Sequence, residues 1–424
     1  MLPSCIPSSG DPLMTRSVLL RIAPLAIAPV LLGVATRAVK PSCDADNGGL
    51  VLPQGACAML IASNVGSVRQ LTVSSTGDLY AAVASGGPGV LALRDTNGDG
   101  KPDMRATFGP GGANDVELRN GYLYVALSTR ILRYRIAEGQ LKPSGDEEVV
   151  VSELPGNSGH RAKSLAFGPN GEMYVSVGSA TNSCQEADRQ NRSPGKDPCQ
   201  ELERRAGIWQ FSADRVGQRF QDGQRYATGM RNPLALTTRN GGRELYAAIH
   251  GRDQLGDNWG FSAAQNAENP AEELVRVERG DDFGWPYCYY SNEFKKKVLA
   301  PEYGGDGQKV GRCASAKDPL LAFPGHWAPL ALAFYDADQF GPKYHGGLFV
   351  AFHGSWNRAP LPQAGYRVAF VPFSGGEPSG NYSTFAIARE GPTSLRASGL
   401  AVGPDGSLYI SADANEKIWR VMRQ

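Results

Sequence analysis

Apolar and polar positions alternate in short runs along most of the chain, and the runs come in pairs joined by a glycine-bearing turn. The pairing recurs as VRQLTVSSTGDLYAAV from Val68, NDVELRNGYLYVAL from Asn114, KSLAFGPNGEMYVSVG from Lys163, NPLALTTRNGGRELYAAI from Asn232, LALAFYDADQFGPKYHGGLFVAF from Leu330 and SGLAVGPDGSLYISAD from Ser398. Alternation with period two marks a strand with one covered face, and turns such as P-N-G, P-D-G and N-G close hairpins. An irregular sandwich has no reason to repeat one hairpin in this way. The repeats predict an all-β, six-bladed β-propeller in which each hairpin supplies the inner strands of a blade and radial closure protects the sheet edges. The run IWRV at 418–421 is expected to help close the ring.

Two polar stretches, 180–205 and 252–326, break this rhythm. Neither carries a sustained apolar period of its own, so both read as loop insertions, which in propellers gather on a face and commonly build the binding site. Cysteines punctuate them: Cys184 and Cys199 in the first, Cys288 and Cys313 in the second, with Cys43 and Cys57 near the start of the repeats and Cys5 left over. Near-neighbour spacing suggests three disulfides that staple loops, although six cysteines permit other pairings. No pair has the C-x-x-C spacing of a zinc or redox site, and an oxidising compartment is the simplest reading.

Composition adds little to the fold and more to the partners. The 52 glycines and 29 prolines of the 424 residues fit a turn-rich protein. A net charge of +1 provides no global field for nucleic acid or an anionic membrane, so a small neutral molecule is the expected partner. Arg16 and Arg21 precede an apolar run from Ile22 to Val34, followed by small residues around Ala35 and Ala38. Residues 1–38 are therefore expected to be an export leader or, with 18–20 included, an uncleaved N-terminal anchor; Met14, just before the basic positions, is an alternative start. Residues 39–424 form the propeller, expected in the periplasm or secreted, with membrane attachment only through that anchor.

The segments RNPLALTTRNGGRELYAAIHGRDQLGDNWG and EELVRVERGDDFGWPYCYY, with GHRAKSLAFGPNGEMYVSVGS and AFHGSWNR, resemble the glucose/sorbosone dehydrogenase family, especially its sorbosone-dehydrogenase-like branch. The resemblance runs from about Gly48 to Val421. It implies the same six-bladed fold, pyrroloquinoline quinone (PQQ) over the central channel, a calcium ion bridging it to the protein, a sugar or sugar-aldehyde substrate, and an external electron acceptor. It also places roles on residues: His160 as the base, a task suited to a group that titrates near neutrality, and the Arg231–Asn232 pair against the quinone, where a fixed guanidinium offsets developing negative charge.

By the same resemblance the main-chain carbonyls of Gly251 and Arg252 would ligate calcium, with Glu273 at an acidic family position and Asp253 and Asp257 nearby. His250 would face the cofactor or cap its strand. His353 stands where several relatives carry a lysine, and Arg396 matches one arginine that holds the cofactor carboxylates, whereas the second such position is Ser398. Separately, Asp95, Asn97, Asp99 and Asp103 in DTNGDGKPD have the spacing of an EF-hand-like calcium loop, but Ala106 stands at its last position, so an ordinary Asp-rich turn remains open. No strand–G-x-G-x-x-G–helix unit supports a nicotinamide cofactor. Two other functions compete with the quinoprotein dehydrogenase: a metal-dependent lactonase-like hydrolase, which needs carboxylates converging on the axis, and a noncatalytic binding propeller.

Overall fold

The computed structural model describes residues 41–391 and 393–424. The expected leader, 1–38, and Cys5 lie outside them. Among the described residues no helix is long and apolar enough to cross a membrane.

Six sheets of at least four strands make the blades, antiparallel except where Gln218–Arg219 pairs parallel with Glu148–Ser152 at the edge of blade 2, and each predicted hairpin is the inner pair of one. Blade 1 starts with Val68–Val73 and Leu79–Val83, blade 2 with Asp115–Arg119 and Tyr122–Ala126, blade 3 with Leu165–Phe167 and Glu172–Val177. Blade 4 starts with Ala235–Arg239 and Glu244–Ile249, blade 5 with Pro329–Tyr335 and Gly347–Phe352, blade 6 with Ala397–Val402 and Leu408–Ala412. The six first strands touch in cyclic order, the last returning to the first. Closure is made by both ends of the repeat region. Lys417–Arg423, which contains the run at 418–421, pairs antiparallel with Ala56–Ala62, so an N-terminal strand completes blade 6.

The motif tyrosine of each hairpin explains why the blades stay together. Tyr80, Tyr124 and Tyr246 are almost wholly buried, and Phe349 takes the place in blade 5. Tyr124 donates its hydroxyl to Ala213 O (2.9 Å) in the next blade, and Tyr246 does the same to Gly376 O (2.7 Å). The ring is removed from water while its one polar atom keeps a partner, which makes the burial favourable. A separate apolar cluster fills each of the six blade interfaces. Hydroxyls near the axis add links: Ser398 Oγ donates to Val68 O (2.7 Å), joining blades 6 and 1.

The disulfides are Cys43–Cys57, Cys184–Cys199 and Cys288–Cys313. Because every first strand begins, and every second strand ends, at the same face of the ring, that face collects the segments just before Leu165, Ala235, Pro329 and Ala397. It also collects those just after Val177, Ile249, Phe352 and Ala412. The insertion 180–205 leaves from this face, as does 252–326, which is not loop throughout: Glu272–Val277 and Leu321–Phe323 within it are the outer strands of blade 4.

Candidate active site

His160 lies just before the first strand of blade 3, its main-chain N–H donating to Ser179 O (3.0 Å). Its ring Nδ1 meets Ser179 O at 3.2 Å and Ser179 Oγ at 3.0 Å. The Ser179 hydroxyl is already donated to Thr181 O (2.6 Å), so both Ser179 atoms act as acceptors. Nδ1 therefore carries the proton, which leaves the lone pair on Nε2. Burial, then the charges of Arg231 and His250, holds this imidazole well below its ordinary pKa, in the neutral form. Gly178 makes the arrangement possible: a β-carbon there would lie 2.4 Å from His160 Cβ and 2.9 Å from Asn232 Oδ1.

Arg231 is buried and almost fully committed. Nε donates to Asn182 O (3.1 Å), Nη1 to Gly251 O (2.7 Å), and Nη2 to Asn182 Oδ1 (2.9 Å) and Asp253 Oδ2 (2.9 Å). A guanidinium has five N–H groups; one on Nη1 is left over. The cation is thus fixed before any ligand arrives. Asn232 donates its amide to His250 Nδ1 (3.3 Å), and His250 Nε2 donates to Pro329 O (2.7 Å). Both nitrogens of His250 are spent inside the protein, and burial lowers its pKa to about 4. It orients Asn232 and ties blade 4 to blade 5, and has no free ring nitrogen with which to bind a cofactor.

Asp253 is the hub that sequence reasoning left undecided. Its carboxylate receives Arg231, Arg189 Nη2 (3.0 Å) and Asn357 Nδ2 (2.8 Å), with His326 Nδ1 3.7 Å away. Burial alone would raise its pKa, but Arg231, His326 and Arg189 outweigh it and hold the group well below the usual carboxylate range. Asn182, in the first insertion, also went unrecognised. Besides accepting from Arg231, it donates to Asp253 O (3.0 Å), accepts from Asp253 N–H (2.9 Å), and has its carbonyl held by Trp285 Nε1 (3.0 Å) of the F-G-W-P motif. That tryptophan was the available signal.

The expected metal positions separate. Gly251 O faces Arg231, and the Arg252 side chain is buried against Glu302 (2.6 Å). Glu273 is paired with Lys297 at 2.6 Å, so it is not a free ligand; its neighbour Glu272 accepts from Gly251 N–H (3.1 Å) beside the site, and burial raises its pKa to about 7. The Asp95–Asp103 loop lies on the opposite face of the ring. Its side chains accept from the loop itself: Asp95 from the N–H groups of Gly98 and Gly100 (both 2.7 Å), Asn97 from Asp99 (2.8 Å), Asp99 from Lys101 (2.8 Å), and Asp103 from the Thr96 hydroxyl (2.8 Å). Among the described residues, no group of three or more His, Cys, Asp or Glu side chains is arranged to hold a metal ion.

Across the channel, His353 Nε2 donates to Asp413 Oδ1 (2.8 Å) and its Nδ1 accepts from Arg396 Nη1 (3.4 Å). Arg69, not singled out in the sequence, joins them through Asp413 Oδ2 (3.1 Å). The site face therefore carries a neutral base with a free lone pair, a fixed guanidinium with one spare N–H, and a second cationic cluster.

The chain is similar to several known proteins. The Coprinopsis cinerea protein named pyrroloquinoline quinone-dependent pyranose dehydrogenase is 29% identical over 265 residues, 52% of this chain and 35% of that protein. An uncharacterised Borreliella burgdorferi protein is 28% identical over 200 residues, 46% of this chain and 48% of its own. The chain thus matches about half or less of the length of these relatives. Among solved structures, the holo PQQ domain of the C. cinerea pyranose dehydrogenase superposes with a TM-score of 0.71 at 20% identity, covering 91% of this chain and 98% of that domain. The calcium structure of a Trichoderma reesei family AA12 carbohydrate-active enzyme gives 0.72 at 19%, covering 92% and 100%. The apo soluble aldose sugar dehydrogenase of Escherichia coli gives 0.57 at 16%, covering 87% and 100%. These likenesses show a shared fold, and a family profile described as TrAA12-like matches residues 50–424: the chain belongs to the TrAA12-like family.

Proposed function

We propose that the protein is an exported PQQ-dependent dehydrogenase that oxidises an aldose or sugar aldehyde of the glucose or L-sorbosone kind and passes electrons to an external acceptor. The observation that carries this reading is the neutral His160, its Nε2 lone pair free, beside a guanidinium that the protein has already fixed. PQQ, when bound, supplies a two-electron acceptor for the hydride that leaves the sugar carbon. His160 Nε2 takes the proton of the hydroxyl on that carbon, the anomeric hydroxyl of a cyclic aldose or one hydroxyl of a hydrated aldehyde, with Ser179 holding the ring in the competent tautomer. Arg231, held by Asn182 and Asp253, offers its spare Nη1–H without reorganising, and Asn232 is aimed by His250.

The residues present fit the group. A planar tricarboxylate needs fixed donors and cations, and this face provides Arg231, Asn232 and Arg396, whereas His353, like His250, has both ring nitrogens engaged by the protein. Of the two carbonyls expected to hold a calcium ion, that of Gly251 already accepts from Arg231 Nη1 (2.7 Å), so the residues present do not fit an ion at that position. An ion in the Asp95–Asp103 loop would be structural, since that loop lies on the other face. The names of the relatives support the same activity, and the lack of converging carboxylate ligands among the described residues gives no support to the lactonase reading.

The test is reconstitution of the purified protein with PQQ and calcium, followed by dye reduction with L-sorbosone and several aldoses. Saturable binding with sugar-dependent reduction is expected, and His160→Gln should lower kcat/KM by about 100-fold or more while still binding PQQ. Failure of the folded protein to bind PQQ, or full turnover by His160→Gln, would overturn the proposal.

A further inference from the structure

The position expected to carry the second cofactor-facing cation is Ser398, and the structure gives that serine other work. Ser398 is fully buried, and its hydroxyl is donated to Val68 O (2.7 Å) between the first strands of blades 6 and 1. The residue that follows Val68 is Arg69. Its Nη2 lies 3.1 Å from Asp413 Oδ2, in the chain of contacts that continues through His353 (2.8 Å) to Arg396 (3.4 Å). The serine thus secures the strand that brings in a different arginine.

Arg69 is only partly satisfied there. Its Nε is buried and has no hydrogen-bond partner among the described residues. That leaves the guanidinium less than fully satisfied by the protein, and because the side chain as a whole stays 30% exposed, its Nη groups are the atoms a ligand could reach. The charge count points the same way. Among the described residues Asp413 is the one anion in contact with Arg69, and it is shared with His353, which itself contacts the second guanidinium, Arg396. Two fixed cations against one carboxylate leave positive charge at the edge of the face where His160 and Arg231 converge. A polycarboxylate is the chemical class that would use both.

We propose that Arg69 is a cofactor-binding residue, supplying from blade 1 the second guanidinium for the carboxylates of PQQ in place of the cation that Ser398 lacks. The inference rests on the PQQ reading above. Arg69 sits across the channel from the base, so its role is to hold and orient the cofactor rather than to move protons. Its planar fork suits a carboxylate better than an ammonium would.

The experiment measures equilibrium binding of PQQ, and of PQQ trimethyl ester, to the full-length apo protein in the presence of calcium. Wild type, Arg69→Gln and Arg69→Lys are compared, with thermal melts to establish folding. Wild type should prefer the triacid over the ester. Arg69→Gln should bind PQQ about tenfold or more weakly yet bind the ester nearly as wild type does, and Arg69→Lys should fall between. Equal PQQ affinity in wild type and a folded Arg69→Gln would overturn the assignment and leave the PQQ reading intact. Parallel loss of triacid and ester binding would also overturn it, by showing that Arg69 only supports the fold. Absence of PQQ binding in folded wild type would instead remove the underlying function and the inference with it.

Discussion

Neutralising Asp253 tests whether the site is built around one shared carboxylate. In Asp253→Asn the shape is kept and the charge is lost. Arg231, its side chain 5% exposed, then keeps three neutral acceptors but no anion within contact, and Arg189 loses the same oxygen. The new amide also turns an NH₂ toward either the two guanidinium groups or Asn357. Removing one partner from a buried ion pair costs about 3–5 kcal/mol, and the three remaining acceptors on Arg231 place the expected loss near the lower end. Lys101→Gln is the matched control. It breaks the Lys101–Asp44 pair (3.2 Å), whose lysine is 56% exposed, and should change stability by less than about 1 kcal/mol. Urea denaturation read at constant m distinguishes the two. The pH dependence gives an independent check. Asp253 has a folded pKa below its unfolded value, so its contribution is present above the unfolded value, about 3.9, and is lost as pH falls through the folded one. The deficit of Asp253→Asn should accordingly be constant near neutrality and shrink in strong acid. A variant within about 1 kcal/mol of wild type at pH 7 would refute the hub.

Lys163 is fully buried with its ammonium donating to Arg161 O (2.7 Å), and burial lowers its pKa to about 7. Between that value and its unfolded 10.5 the unfolded chain binds more protons, so wild-type stability rises with pH across this window; Lys163→Met should be more stable than wild type at pH 6, by up to about 5 kcal/mol, and the gap should close toward pH 10. A gap that is independent of pH in paired melts would contradict this. Replacing Cys184 and Cys199 together by serine opens a loop with a sequence separation of 15 and should cost about 3 kcal/mol in denaturant titrations, with the ring of blades intact by circular dichroism. Because burial, Arg231 and His250 keep His160 neutral, kcat/KM for the sugar should stay level from neutral pH down through about 6.5 and fall only well below it. An acid limb centred at or above 6.5 would remove His160 as the base.

Much of the fold was written in the chain because each blade repeats a local signal, the period-two alternation around a glycine turn, and because the motif tyrosine that docks blades together is part of that signal. The partner of the last strand was less visible: Ala56–Ala62 looks like any apolar run until the ring closes and sets it beside Lys417–Arg423. The same distinction governs the site. His160, Arg231 and Asn232 stand next to first strands, so their shared face follows from the repeat itself. Asn182 and Asp253 stand in insertions without periodicity, and their pairing depends on how two loops from different blades fold against one another through Trp285 and Glu302. Glu273 carried the acidic pattern, yet Lys297 neutralises it, while Glu272 one residue earlier points to the other face of the strand and reaches Gly251.

Arg69 shows the physical limit most plainly. In a hairpin that alternates apolar and polar residues, an arginine at a polar position reads as a solvated charge, and in an isolated blade it would be one. Only closure of the ring brings the second strand of blade 6 alongside, places Asp413 within 3.1 Å, and buries Nε without a partner among the described residues. A serine hydroxyl at position 398, which by itself looks like a missing cation, supplies the interblade bond that fixes the neighbouring strand. Loss of a charge at one position and gain at another are then two consequences of one contact, and they become visible only when both strands are seen together.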